Sequence, residues 1–305
     1  LLVLAGSPGA TGADPALFQL LQPDAKFVAG VDFDRVRNAP FGQFLLQRAE
    51  AERKQIDSVT ETLGLDPRRD VRQVLISSSD AGTGQPLVLV SVNYDETKLS
   101  NGLLGARGLR PIESYQGVRI VGSLHGKHDS SMAFLPGMIA LGGGDQVKAL
   151  IDRRGSAGRT PSVAEGRVQT ISSRYDAWIF ANGSPSALVG AARNKNLQGA
   201  MNSDLFRGIE SMAGGVKFGA NVEIGGEATA RSAGDASALV DVVRFLASMA
   251  ESSGGAGVGR MLESLQLTAD GRVVRFSFTT TTNEFEKLFD TGRRQVRPVV
   301  HRIVP

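Results

Sequence analysis

Glycines at Gly6, Gly9 and Gly12 follow the apolar run Leu1–Ala5, and Asp32 ends a second apolar run twenty residues after the last of them. Read as strand, glycine turn, helix (Asp14–Leu21), strand (Phe27–Val31) and acid, this is the order of parts that binds a dinucleotide. The glycines would let the backbone approach a pyrophosphate, the helix N-terminus would face its charge, and the carboxylate would hold ribose hydroxyls. The chemistry would then be hydride transfer with NAD or NADP. Against it, the helix behind the glycines has room for only about ten residues, with Pro15 near its start.

His125, His128 and Asp129 form the only histidine cluster. Two imidazoles and a carboxylate could ligate zinc or a similar ion if the loop curled to bring them together. The plainer reading is a polar loop between two strands. The chain has no cysteine, which excludes thiol nucleophiles, zinc ribbons, iron–sulfur clusters and redox pairs. Neither Gly-x-Ser-x-Gly nor Ser-x-x-Lys occurs. Ser123 lies near His125 and Asp129, but adjacency along one loop seldom gives triad geometry. Gly142-Gly143-Gly144-Asp145 could face an anion, yet a carboxylate there would repel it, so Asp145 reads as a helix cap. Tyr94 and Lys98 form a Tyr-x-x-x-Lys pair that resembles the proton-transfer pair of the short-chain dehydrogenases. Here the pair falls at the end of an expected hairpin rather than inside a long helix.

The net charge is +3, from 34 basic and 31 acidic residues. Arg293, Arg294, Arg297 and Arg302 form a basic tail that could touch an anionic surface, or could simply be a solvated end. Aromatic residues are 6% of the chain, with no basic stripe interleaved among them, so no nucleic-acid platform is expected. Trp178, flanked by Ile179 and Phe180, reads as core.

The elements that would position these residues alternate between strands and helices. Lys26–Phe33 has strand composition. Asn38-Ala39-Pro40 opens a helix running to about Leu63, with apolar residues at helical spacing. Hairpins are expected for 71–77 with 87–93, 111–115 with 118–124, and 131–135 with 138–141. Helices are expected at 96–104 and after Asp145. In the second half, Asp176–Ala181 is a strand, and helices follow at 185–192 and 203–212. A hairpin of 216–224 with 227–231 would turn on Gly225-Gly226. A helix over 235–250, a hairpin of 262–268 with 273–280, and a capping box at Asn283–Glu286 complete the reading.

Each half therefore runs through strand, helix, hairpin, helix, hairpin and helix. Asp24-Ala25 and Asp176-Ala177 stand at corresponding places about half a chain apart. The fold class expected is α+β, with two internally duplicated halves, each a largely antiparallel sheet with helices packed on one face. The divisions are 1–13, 14–152 for the first repeat, 153–166 for a connector, 167–290 for the second repeat, and 291–305 for the tail.

Residues 1–13 pass from an apolar run through Pro8 and Gly9 to small residues, as a signal peptide ends, with cleavage expected before Asp14. No stretch reaches the roughly 18 apolar residues of a membrane span. The phrase Leu21-Gln22-Pro23-Asp24-Ala25-Lys26-Phe27-Val28-Ala29-Gly30-Val31-Asp32, followed by Ala39-Pro40-Phe41-Gly42, resembles a group of exported bacterial proteins to which no activity is attached. That resemblance implies export and an α+β fold. The expectation is a non-enzymatic periplasmic or secreted protein that binds or scaffolds in the cell envelope without a cofactor. The alternatives are an NAD(P)-dependent oxidoreductase and a peripheral membrane protein held by its arginine tail.

Overall fold

In the run Leu87-Val88-Leu89-Val90, Leu87 and Leu89 are buried and Val88 and Val90 half-exposed, the alternation of a strand with two unequal faces. The same alternation recurs along the chain. A computed structural model describes residues 15–51, 57, 60–61, 64–79, 85–105, 113–122, 130–154, 163–183, 204–253 and 263–295. In chain order the elements are α1 (Pro15–Phe18), β1 (Phe27–Asp32), α2 (Phe33–Asn38), α3 (Pro40–Ala51), α4 (Pro67–Asp70), β2 (Val71–Ser78), β3 (Leu87–Val92) and α5 (Glu96–Gly105). Then come β4 (Glu113–Tyr115), β5 (Val118–Gly122), β6 (Ser130–Leu135), β7 (Met138–Gly143), α6 (Gly144–Arg154), α7 (Val163–Arg174), β8 (Ala177–Asn182) and α8 (Asp204–Arg207). The chain continues through β9 (Ile209–Phe218), β10 (Asn221–Ala230), α9 (Ala233–Ser253), β11 (Gln266–Asp270), β12 (Val273–Thr281) and α10 (Thr282–Gln295).

The protein is α+β, and its described strands form one antiparallel sheet in the order β11-β12-β10-β9-β8-β1-β2-β3-β7-β6-β5-β4. β1 and β8 lie side by side at the centre, Gly30 opposite Trp178. One wing of the sheet therefore comes from the first part of the chain and the other from the second. The main core lies on one face, where Val28, Leu75, Leu87, Leu89 and Trp178 meet Val147 and Leu150 of α6 and Val168 of α7.

Helices cover both faces of this sheet rather than one. Opposed residues in an antiparallel pair share a face. Trp178 and Phe180 oppose Gly215 and Ala213, Ala213 opposes Glu227, and Glu227 opposes Arg275. The residues between them, Ala228, Val274 and Leu267, pack on Leu239 and Val240 of α9. So α9 covers the reverse of the face that carries α7. Likewise Leu99 of α5 packs on Val121 and Phe134, whose strand neighbours Ile120 and Ala133 belong to the main core.

Several local expectations are corrected. Gly225-Gly226 is not a turn. It lies within β10, opposite Gly215-Gly214 of β9, and the chain reverses after Phe218. These glycines provide room within the sheet, and the predicted helix at 203–212 shortens to α8 before β9 begins. The predicted 38–63 helix breaks at Pro40, where Ala39 is extended, and Asn38 ends α2 instead of capping α3. The capping box falls two residues early: Glu284 N donates to Thr281 Oγ1 and Thr281 N to Glu284 Oε2, both at 3.3 Å. Gln146 rather than Asp145 reaches back at the start of α6, its Oε1 accepting from Gly143 N at 3.0 Å. The expected helix at 185–192 lies outside the described residues. Among the described residues no helix is long and apolar enough to cross a membrane.

Candidate functional site

β11 and β12 alternate cleanly: Leu267, Val274 and Phe276 face α9, while Gln266, Thr268, Arg275 and Ser277 point the other way. α7 packs over β8 and β9 on that second face. Between α7 and the polar face of β10–β12 runs a groove of about 450 Å³. Its walls carry Arg167 and Arg174 of α7, Tyr175, Glu227 of β10 and Arg275 of β12.

Tyr175 forms the inner wall, and the sheet is cut to fit it. A Cβ on Gly215 would stand 2.6 Å from the Tyr175 Cβ and Cγ, and one on Gly225 would stand 2.9 Å from its hydroxyl. The ring therefore lies across two opposed glycines that no larger residue could replace without displacing it. Burial pushes the Tyr175 phenol above its ordinary range, against a smaller opposing effect of Arg174. The phenol stays protonated near neutrality and is a hydrogen-bond donor.

The charges in the groove are unequal. Glu227 accepts from Arg167 at 2.9 Å and approaches Arg275 at 3.8 Å. Arg275 also approaches the exposed Asp270 at 3.5 Å. Arg174 has no carboxylate partner among the described residues, and its guanidinium carbon lies 5.2 Å from the Tyr175 ring centre. Three guanidiniums thus share the groove with one lining carboxylate. Arginine stays charged at any ordinary pH, so these groups bind and orient anions rather than move protons.

The residues singled out from sequence fall elsewhere. Asp32 is buried as the cap of α2, accepting from Arg35 N at 3.0 Å and from Gln73 at 3.2 Å. β2 and β8 flank β1 on both edges, antiparallel, so β1 has no parallel neighbour of the kind a dinucleotide crevice requires. Gly6, Gly9 and Gly12, and likewise His125, His128 and Asp129, lie outside the described residues. Among the described residues no group of histidine and acidic side chains could hold a metal. Tyr94 donates to the carbonyl of Leu135 at 2.8 Å, and burial raises its pKa, the opposite of what proton abstraction needs. Lys98 lays its methylenes against Gly64. Trp178 is core, as expected. Arg293 and Arg294 fall in the last turns of α10, and Arg297 and Arg302 lie beyond the described residues.

The groove is not visible in the sequence. Its only local signals are the alternation of Arg275 and Ser277 with Phe276 and Phe278, and the pair Arg174-Tyr175 ahead of β8. Neither says which face α7 leaves open.

No protein-family model matches the chain, and no curated protein matches it. Solved structures share the fold. Crystal form III of the protein TP0453 superposes with a TM-score of 0.52 at 9% identity, covering 95% of this chain and 100% of that one. Its crystal form IV gives 0.51 at 10% identity, covering 89% and 95%.

Proposed function

We propose that this chain is a non-enzymatic, exported binding protein of the bacterial cell envelope, and that its groove holds a small ligand by an anionic group. The observation that carries the reading is Arg174: a guanidinium without a carboxylate partner among the described residues, stacked beside a protonated tyrosine in a groove with two further arginines. Export rests on the N-terminal pattern before Asp14 and on the resemblance of residues 21–42. Descent by duplication accounts for the central pair, because β1 and β8 each begin one wing of the sheet.

Equilibrium dialysis of the full chain against a small-molecule extract of the producing cells, read by mass spectrometry, tests the binding role. The wild type should retain an anionic compound that Arg174→Gln releases. Equal enrichment by both proteins would overturn the assignment of the groove.

A further inference from the structure

We infer that the anionic group held in this groove is a dianionic oxyanion, a phosphate monoester or its close chemical equivalent, rather than a carboxylate. The inference rests on the binding role proposed above and specifies its ligand.

Charge is the first argument. Arg167, Arg174 and Arg275 carry three positive charges, and Glu227 among the lining residues carries one negative charge; Asp270, 3.5 Å from Arg275, lies outside the lining with its side chain 82% exposed, where water screens its charge. The excess of two matches a phosphate monoester, which holds between about −1.5 and −2 at neutral pH because its second pKa lies near 6. A carboxylate would leave one guanidinium uncompensated.

Geometry is the second. Glu227 sits between Arg167 and Arg275 and orients both while using only some of their N–H groups. A guanidinium offers five donors in a planar fork, so each keeps donors for a ligand. Arg174 supplies a third fork, braced against the Tyr175 ring. The hydroxyls of Thr268 and Ser277 line the same groove from β11 and β12, and Tyr175 adds a phenol. A carboxylate has two oxygens to receive these donors, whereas a phosphate ester presents three charged ones.

Isothermal titration of the full chain with inorganic phosphate, glycerol phosphate and acetate at one ionic strength tests the inference. Phosphate and glycerol phosphate should bind at least tenfold tighter than acetate, and the affinity for glycerol phosphate, a monoester, should rise as pH passes from 5 to 7, through about 6. Arg174→Gln should lose at least tenfold in affinity. Arg72→Gln, which removes the same charge from a distant strand, should lose none. Thermal melting shows that each variant folds. Sedimentation with phosphatidic acid vesicles, against phosphatidylcholine vesicles, separates the sources. Capture lost in Arg174→Gln makes the ester a lipid headgroup, and binding confined to the soluble ester makes it a free molecule. Acetate binding as tightly as phosphate would overturn the dianion while leaving the anion-binding groove intact. If no anion bound the folded wild type, both readings would fall.

Discussion

Arg35 and Asp176, 141 positions apart, are joined by a hydrogen bond of 2.6 Å from the Arg35 Nε to the Asp176 carboxylate. The other carboxylate oxygen accepts from Phe218 N at 2.7 Å, and the Asp176 carbonyl accepts from Asp32 N at 2.8 Å. Asp176 is buried, while the Arg35 side chain is 23% exposed. One residue therefore ties α2, β1 and β9 together where the two wings meet. Because Arg35 keeps some water, its loss of a partner costs less than a fully buried break. Asp176→Ala should destabilise the fold by about 2–3 kcal/mol in urea denaturation, and Asp176→Asn by less. An unchanged midpoint for Asp176→Ala would contradict this role.

Gly30 is the close approach that seats the core. A Cβ there would stand 2.3 Å from Trp178 Cζ2 and 2.8 Å from Leu75 Cδ2. Gly30→Ala is expected to cost about 1–3 kcal/mol, the usual range for overpacking. Trp178 is the sole tryptophan, so its fluorescence reports this site directly. A spectrum and melting curve equal to wild type would show that the ring has room to move aside.

Asp66 and Asp70 clasp the start of α4. Arg68 hydrogen bonds hold the Asp66 carboxyl below its ordinary range, and those of Arg69 do the same for Asp70. Both groups bind protons more readily unfolded than folded. Their contribution is therefore present above about pH 3.9 and is lost as pH falls through the lowered folded values. The Asp66→Asn, Asp70→Asn double variant should show a flatter acid limb in melting temperature against pH. Parallel limbs would remove these carboxyls from the account.

Export predicts a processed N-terminus. The intact mass of native protein from fractionated cells should correspond to a chain starting near Asp14, in the periplasmic or secreted fraction. An uncleaved cytoplasmic species would contradict export, and titration with NAD and NADP would then follow.

Much of the fold is legible in alternation alone. Leu87–Val92 and Val273–Thr281 announce strands, and Gln116-Gly117 and Pro136-Gly137 announce tight turns, with positive φ at Gln116, Gly117 and Gly137. The sequence misleads where a residue serves a distant partner. Gly225-Gly226 carries turn composition, but Gly225 makes room for Tyr175 and Gly226 for the backbone of Ala213 and Gly214, with the ring of Phe276 beyond. Asp32 carries the position of a ribose ligand, but spends its carboxylate on the amide of Arg35. The groove was illegible for the same reason. Arg167, Glu227 and Arg275 meet only after β10, β12 and α7 are assembled, and a period-two pattern tells which residues share a face without telling which face stays open.

The most direct test of the groove is the arginine Nε–Hε spectrum of the full chain during a titration with glycerol phosphate. A phosphate ester seated in the groove should give saturable shifts for Arg174, Arg167 and Arg275, with Arg72 still. Shifts that spread evenly over all arginines and rise linearly with ligand, or a silent Arg174, would contradict that seating.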